Sequence, residues 1–223
     1  MLLGILVEEL GWDELRSLWR RALEVTPPGI EIDSAGGSGE IPARVRRAVS
    51  DAAQAQRPVR HFVLMDSDRR WPTDNDAAIA KPMSNAIEEC EKHAVPIHVW
   101  RKRSAENYIP DSVLVAVRDA SESQKNIARF DALLRRSQEQ RDHLPIKDAL
   151  TLEERTKGLD VGFYKISDEN DLILLGERLF PPRPRPFLQL HAERRSYFTA
   201  QGLRERDGKG ELDDLLHAIA QEL

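Results

Sequence analysis

Cysteine is almost missing from this 223-residue sequence: Cys90 stands alone. That excludes an intramolecular disulfide framework and a zinc site built from several cysteines. Long hydrophobic runs are missing too; no stretch approaches the ~18 consecutive apolar residues of a membrane-spanning helix. The opening residues, Met-Leu-Leu-Gly-Ile-Leu-Val-Glu-Glu, carry no basic segment and meet carboxylates after a short apolar run, so no secretory leader is expected and a cytoplasmic location is the default. An excess of positive charge is also absent. Lys and Arg number 33 against 38 Asp and Glu, a net charge of −5, which argues against avid nucleic-acid binding by bulk charge. It leaves open an enzyme whose arginines cluster locally while its carboxylates gather elsewhere. Present in ordinary proportion are hydrophobic residues at 40% and charged residues at 32%, the balance of a globular chain able to bury a core. The length suits one domain with a sizeable extension, or two small ones.

Residues 2–7 form a short apolar run bounded by charge, and we read a buried strand there. Residues 13–23 place Leu15, Leu18, Trp19 and Leu23 at helical spacing with arginines between them, an amphipathic helix. A Thr-Pro-Pro-Gly turn leads to a second strand at 30–33 and a flexible loop, Ala35-Gly-Gly-Ser-Gly. Residues 41–56 read as a helix with Pro42 in its first turn. A third strand, His61-Phe-Val-Leu-Met, ends at Asp66-Ser-Asp68; a helix at 77–93 and a fourth strand at 95–100 follow. The order β-α-β-α-β-α-β predicts an α/β fold with a mainly parallel sheet flanked by helices. Right-handed crossovers would put all strand C-terminal ends on one edge, where ligands bind. From about Asp111 the texture changes and becomes mostly helical. Residues 112–117 read as a short helix or a strand, 125–141 and 150–157 as helices, 161–166 as a strand, 181–186 as a polyproline-like connector, and 211–223 as a final helix. The expected division is a core at 1–115 and a helical extension at 116–223, packed on the core or on a partner.

Acidic residues follow three of these strands: Glu8-Glu9, Asp66-Ser-Asp68 and Glu106. Brought to one sheet edge, one glutamate of the Glu8-Glu9 pair, Asp66, Asp68 and Glu106 would make four carboxylates that oppose one another's ionisation unless a cation offset the repulsion. Oxygen-only ligands suit Mg²⁺ or Mn²⁺, and a pair of such ions ~4 Å apart would form a clamp for phosphodiester chemistry. The same acids also suit ordinary helix caps. On an extended backbone, Asp66 and Asp68 would point to the same side.

Strand-Glu, strand-Asp-x-Asp and a later Glu together resemble the Toprim domain of topoisomerases, primases and some nucleases. Ile5-Leu-Val-Glu8, Ala35-Gly-Gly, Leu64-Met-Asp66-Ser-Asp68-Arg69 and above all Arg103-Ser-Ala-Glu106-Asn107-Tyr108-Ile109 are similar to the overcoming-lysogenization-defect (OLD) type within that group, whose signature is Arg-x-x-Glu-Asn-Tyr-Leu. The likeness covers residues 1–115. It departs at the first motif, where no glycine follows Glu8: Glu8 keeps the neighbouring Val7, whereas Glu9 keeps the four-residue spacing to Asp13. Glu8 is preferred, with Glu9 as the alternative.

What the resemblance implies is a Mg²⁺- or Mn²⁺-dependent endonuclease acting on DNA or RNA, with one or two ions on Glu8, Asp66, Asp68 and Glu106. A lysine at the scissile phosphate is expected as well: Lys147 first, Lys102 second. Arg69, Arg70, Arg101 and Arg103 would contact phosphates or act as counter-ions, Trp71 would stack on a base or simply pack, and Asn107 and Tyr108 would buttress Glu106. No Gly-x-x-x-x-Gly-Lys-Ser/Thr occurs, so an ATPase of the ATP-binding-cassette type would be a separate partner. That pairing resembles two-gene anti-phage defence systems. The alternative is a catalytically silent effector or regulatory subunit, activated by such an ATPase or released from it. A homodimer would supply two sites for cutting two strands. Topoisomerase and primase readings need more chain than this.

Overall fold

A computed structural model describes residues 2–25, 29–33, 37–55, 59–69, 81–146, 169–176, 179–180 and 186–223. Its first element corrects the sequence reading: residues 2–7 belong to a helix, α1 (Leu2–Leu10), rather than to a strand. A short apolar run carries no period that separates a buried strand from a buried helix. Four leucines and the Glu8-Glu9 pair are good helix formers, and Ile5, Leu6, Val7 and Leu10 are all buried. Gly11 stops α1. Its amide donates to the Val7 carbonyl at 3.0 Å, and a Cβ at position 11 would fall 2.3 Å from that oxygen, so this close approach admits glycine alone. The amphipathic helix α2 (Asp13–Glu24) follows, burying Leu15 and Trp19.

The second expected strand is also corrected, since residues 30–33 form no ladder. Ile32 is 53% exposed, so one of the two isoleucines that suggested a strand has no apolar surface to pack on. Helix α3 (Ile41–Gln54) carries Pro42 in its first turn, where the missing N–H costs nothing. Helix α4 (Lys81–Lys92) links the two strands of the sheet.

Among the described residues, the sheet consists of β1 (Val63–Met65) and β2 (Ile97–Val99). They are parallel and register Val63 with Ile97, Leu64 with His98 and Met65 with Val99. Alternation along each strand separates two apolar layers. Val63, Met65, Ile97 and Val99 pack with Ile41 and Val45 of α3 and with Met83, Ala86 and Cys90 of α4. Phe62, Leu64 and Trp100 turn to the larger core. The protein is thus a mostly helical α/β fold around a small parallel sheet with both faces covered, as a β-α-β unit requires.

The larger core joins both halves of the chain: Leu6, Leu15, Trp100, Ile109 and Leu114 share it with Phe130, Leu144, Leu203 and Leu216. Residues 112–117 are helical, within α5 (Asp111–Asp119). The single helix read at 125–141 is two, α6 (Gln124–Leu134) and α7 (Gln138–His143). Ser137 divides them by capping α7 reciprocally with Gln140, a Ser-x-x-Gln capping box that satisfies two otherwise unpaired amides at a helix start. Helices α8 (Glu169–Leu175), α9 (Pro186–Arg194), α10 (Ala200–Asp207) and α11 (Glu211–Glu222) complete the described chain. Pro186 opens α9 rather than ending a connector. Residues 181–185, and the expected helix at 150–157 and strand at 161–166, lie outside the described residues. No helix among the described residues is long and apolar enough to cross a membrane.

Candidate functional site at the ends of the parallel strands

Parallel pairing brings the residues after Met65 beside the residues after Val99, and three hydrogen bonds tie the two loops together. The Ala105 amide donates to Asp66 Oδ1 at 3.2 Å. The Ser67 hydroxyl donates to the Lys102 carbonyl at 2.7 Å, and the Asp68 amide donates to the Arg103 carbonyl at 3.0 Å. Asp68 sits at φ +51°, a left-handed conformation that aspartate adopts more readily than most residues. The expectation that Asp66 and Asp68 point to one side is therefore corrected. Extended geometry ends at Met65, Asp66 is half-buried, Ser67 is buried, and Asp68 is exposed.

Glu106 lies in a short 3₁₀ turn, Ala105–Tyr108, and is 3% exposed. Asn107 holds this turn from inside. Its Oδ1 accepts from the Ser104 amide at 3.0 Å and the Ser104 hydroxyl at 2.9 Å, and its amide group donates to the Arg141 carbonyl at 2.7 Å and the Leu144 carbonyl at 2.8 Å. One fully buried side chain thus fastens the turn to α7. Tyr108, also buried, stacks at a tilt on Trp100 with ring centroids 4.9 Å apart and donates its hydroxyl to Glu211. Burial and the Glu211 carboxylate both push the phenol's pKa up, so Tyr108 stays a neutral donor.

The other expected site residues sit as follows. Glu8 and Glu9 are on α1, where Glu8 pairs with Arg195 and Glu9 Oε1 lies 3.1 Å from His191 Nε2 and 3.7 Å from Arg195 Nε. Glu8, Glu9 and His191 are the one group of three or more Asp, Glu, His or Cys among the described residues whose ligand atoms lie within 4.8 Å of one another; Asp66, Asp68 and Glu106 do not draw together to that degree. Arg195 offsets one of the two charges of the Glu8–Glu9 pair. Lys102 is 4% exposed, donates to the Arg206 carbonyl and lies 2.8 Å from Asp142 Oδ1. Burial, followed by the neighbouring Arg206 charge, lowers its pKa to about 8. It is an internal tie rather than a solvent-facing phosphate contact. Arg101 reaches α11, with Nη2 3.8 Å from Asp214 Oδ2 and Nη1 3.4 Å from the Lys209 carbonyl, while Arg103 Nη1 donates to the His143 carbonyl at 3.4 Å. Arg69 borders His143, whose side chain hydrogen-bonds the Arg69 backbone. Arg70, Trp71 and Lys147 lie outside the described residues.

Three residues at this locus escaped the sequence reading. Glu211 looked like an ordinary acid in the first turn of a helix, yet it is 1% exposed. Burial alone would raise its pKa, but hydrogen bonds from His98, Tyr108 and the Arg101 amide hold it below the usual carboxylate range. His143 is buried at the end of α7, and Asp142 bridges Lys102 and Arg206. Nothing in the local pattern marks any of them, because their partners lie far away in sequence.

Asp66, Asp68 and Glu106 carry carboxylate oxygens, the donor type that Mg²⁺ or Mn²⁺ takes, on two loops tied edge to edge, but their ligand atoms do not converge within 4.8 Å. Glu8, Glu9 and His191 offer a mixed oxygen and nitrogen set. The class defined so far is a mostly helical α/β protein with an acid-bearing β-α-β edge. Compared with protein-family models, curated proteins and solved structures, the chain matches none.

Proposed function

We propose that the protein is a Mg²⁺- or Mn²⁺-dependent endonuclease of the Toprim, OLD-like type, cutting DNA or RNA at the edge formed by the ends of β1 and β2. One observation carries this reading: the Asp66-Ser-Asp68 loop and the Arg103-x-x-Glu106-Asn107-Tyr108 turn, which resemble that group in sequence, are hydrogen-bonded to each other through Asp66 and Asp68, with Ser67 bonded to the Lys102 carbonyl just before the turn. Asp66, Asp68 and Glu106 would hold the cation. When bound, it would supply a Lewis acid that activates water and balances charge developing on the phosphate. Arg69 and Arg103 flank these acids and would orient the backbone phosphate, which needs positive charge without base contacts. Glu8 and Glu9, engaged with Arg195 and His191, join that set only by giving up those partners. A defence role with a separate ATPase is the biological extension of the same resemblance.

The test is cleavage of supercoiled plasmid and of total tRNA in Mg²⁺ or Mn²⁺, comparing the natural chain with Asp66→Asn. Cation-dependent cutting that falls at least ~100-fold in the variant is expected, and the substrate cut names the class. Cutting that persists undiminished in Asp66→Asn would remove the proposed site. An intact, folded chain that cuts neither substrate, with or without an ATPase encoded beside it, would overturn the nuclease reading.

A further inference from the structure

We infer that Glu211, at the start of the C-terminal helix, is a positioning residue for the turn that carries Glu106. The inference rests on the nuclease reading for its functional consequence, but not for its geometry. Glu211 is 1% exposed, and each hydrogen bond of its carboxylate goes to the segment 98–108. Oε1 lies 2.9 Å from His98 Nε2 and accepts from the Arg101 amide at 2.8 Å. Oε2 accepts from the Tyr108 hydroxyl. One carboxylate therefore grips the strand β2, the loop that leaves it and the far end of the 3₁₀ turn, and Glu106 lies between the last two grips.

Neighbouring groups hold Glu211 in place. Gly208 and Gly210 have φ +69° and +75°, turning the chain sharply between α10 and α11 so that residue 211 enters the interior. Asp207 Oδ2 accepts from the Leu212 amide at 3.0 Å, which caps the entry to α11. Lys102 Nζ sits 4.7 Å from the Tyr108 ring centre while donating to the Arg206 carbonyl. The segment 206–212 and the segment 98–108 thus share one buried polar network. Such a network holds its members to one arrangement, because any departure leaves a buried polar group unpaired.

Three variants of the full chain test this: Glu211→Gln, Glu211→Ala and Tyr108→Phe. Hydrogen exchange, read without substrate, is expected to quicken at least ~10-fold in Glu211→Ala at residues 98–108 while amides of α3 and α4 keep their protection. An increase spread evenly over the chain would show a general loss of stability and overturn the positioning role. In cleavage assays, Glu211→Ala should need at least ~10-fold more Mg²⁺ for half-maximal rate yet approach the natural kcat at saturation, with Glu211→Gln and Tyr108→Phe intermediate. A lowered kcat at unchanged Mg²⁺ requirement would also overturn it. If the natural chain cuts nothing, the nuclease reading falls, and the exchange pattern alone still decides whether Glu211 positions the turn.

Discussion

His143 should make the fold lose stability in mild acid, by an amount that its surroundings set. The ring is 6% exposed at the end of α7. Burial, opposed in part by a hydrogen bond to the Arg69 backbone and by Asp142, lowers its pKa from 6.5 to about 4. Between those two values the unfolded chain takes up a proton at this ring and the folded chain does not. The unfolded state therefore binds more protons, and stability falls as pH drops through the window. At ~1.4 kcal/mol per pKa unit the full gap is worth about 3 kcal/mol, most of it reached by about pH 4.5. The perturbation is His143→Gln, which has no proton to gain. Urea unfolding of both chains, followed by tryptophan fluorescence at about pH 7 and about pH 4.5, isolates the ring from the carboxylates that titrate in both. The natural chain should lose about 2–3 kcal/mol more than the variant over this interval. Losses that agree within ~0.5 kcal/mol would show that His143 is already free to charge in the folded state, and would refute the reasoning.

Two further outcomes follow from the same network. Lys102, with its pKa lowered from 10.5 to about 8, is a buried ammonium whose unfolded form holds its proton longer. Stability should therefore rise between about pH 8 and pH 9.5 by about 2 kcal/mol, and Lys102→Met, measured by chemical unfolding, should abolish that rise; a rise of the same size in the variant would exclude Lys102 as its source. Asn107→Ala would leave the Arg141 and Leu144 carbonyls and the Ser104 amide without the partners they now have. A loss of about 3 kcal/mol is expected in the same unfolding assay, and a loss under ~1 kcal/mol would mean that other groups or water replace the side chain.

The parts of the fold legible in the sequence are those where neighbouring residues settle the question. His61-Phe-Val-Leu-Met and Val95-Pro-Ile-His-Val-Trp are apolar runs ended by charge and separated by a helical period, and they contain the two strands of the parallel sheet. The Asp66-Ser-Asp68 and Glu106-Asn107-Tyr108 segments follow those strands in the chain, so their meeting was a consequence of parallel pairing. The run at 2–7 failed for the opposite reason. It is apolar throughout, so its periodicity says nothing, and the outcome is set by the helix-forming residues that continue it through Glu8, Glu9 and Leu10 and by the core they pack on. The break between α6 and α7 was legible in Ser137-x-x-Gln140 but was masked by a charge-rich helical texture on both sides. Glu211 and Asp142 could not be read locally at all. The hydrogen bonds that define Glu211 span more than 100 residues of chain, and a side chain's distant partners leave no trace in its immediate sequence.

That long reach gives the buried charges their meaning. Lys102, Asp142, Arg206, Asp207 and Glu211 are together beside the Glu106 turn. Burying so many ionisable groups adds little net stability, because desolvation offsets most of the attraction; apolar residues of similar volume would serve a core equally well or better. What such groups supply is direction. Leu or Phe at position 211 could fill the space, but would leave the Arg101 amide and the Tyr108 hydroxyl without acceptors and so release both ends of the turn. The remainder of the larger core uses Leu, Ile, Val and Phe wherever bulk is enough. Buried charge is not confined to this turn, since Asp171 is buried against Arg135 and Arg136, but among the described residues only beside the turn do phenol, imidazole and backbone amide meet on one buried carboxylate, that of Glu211.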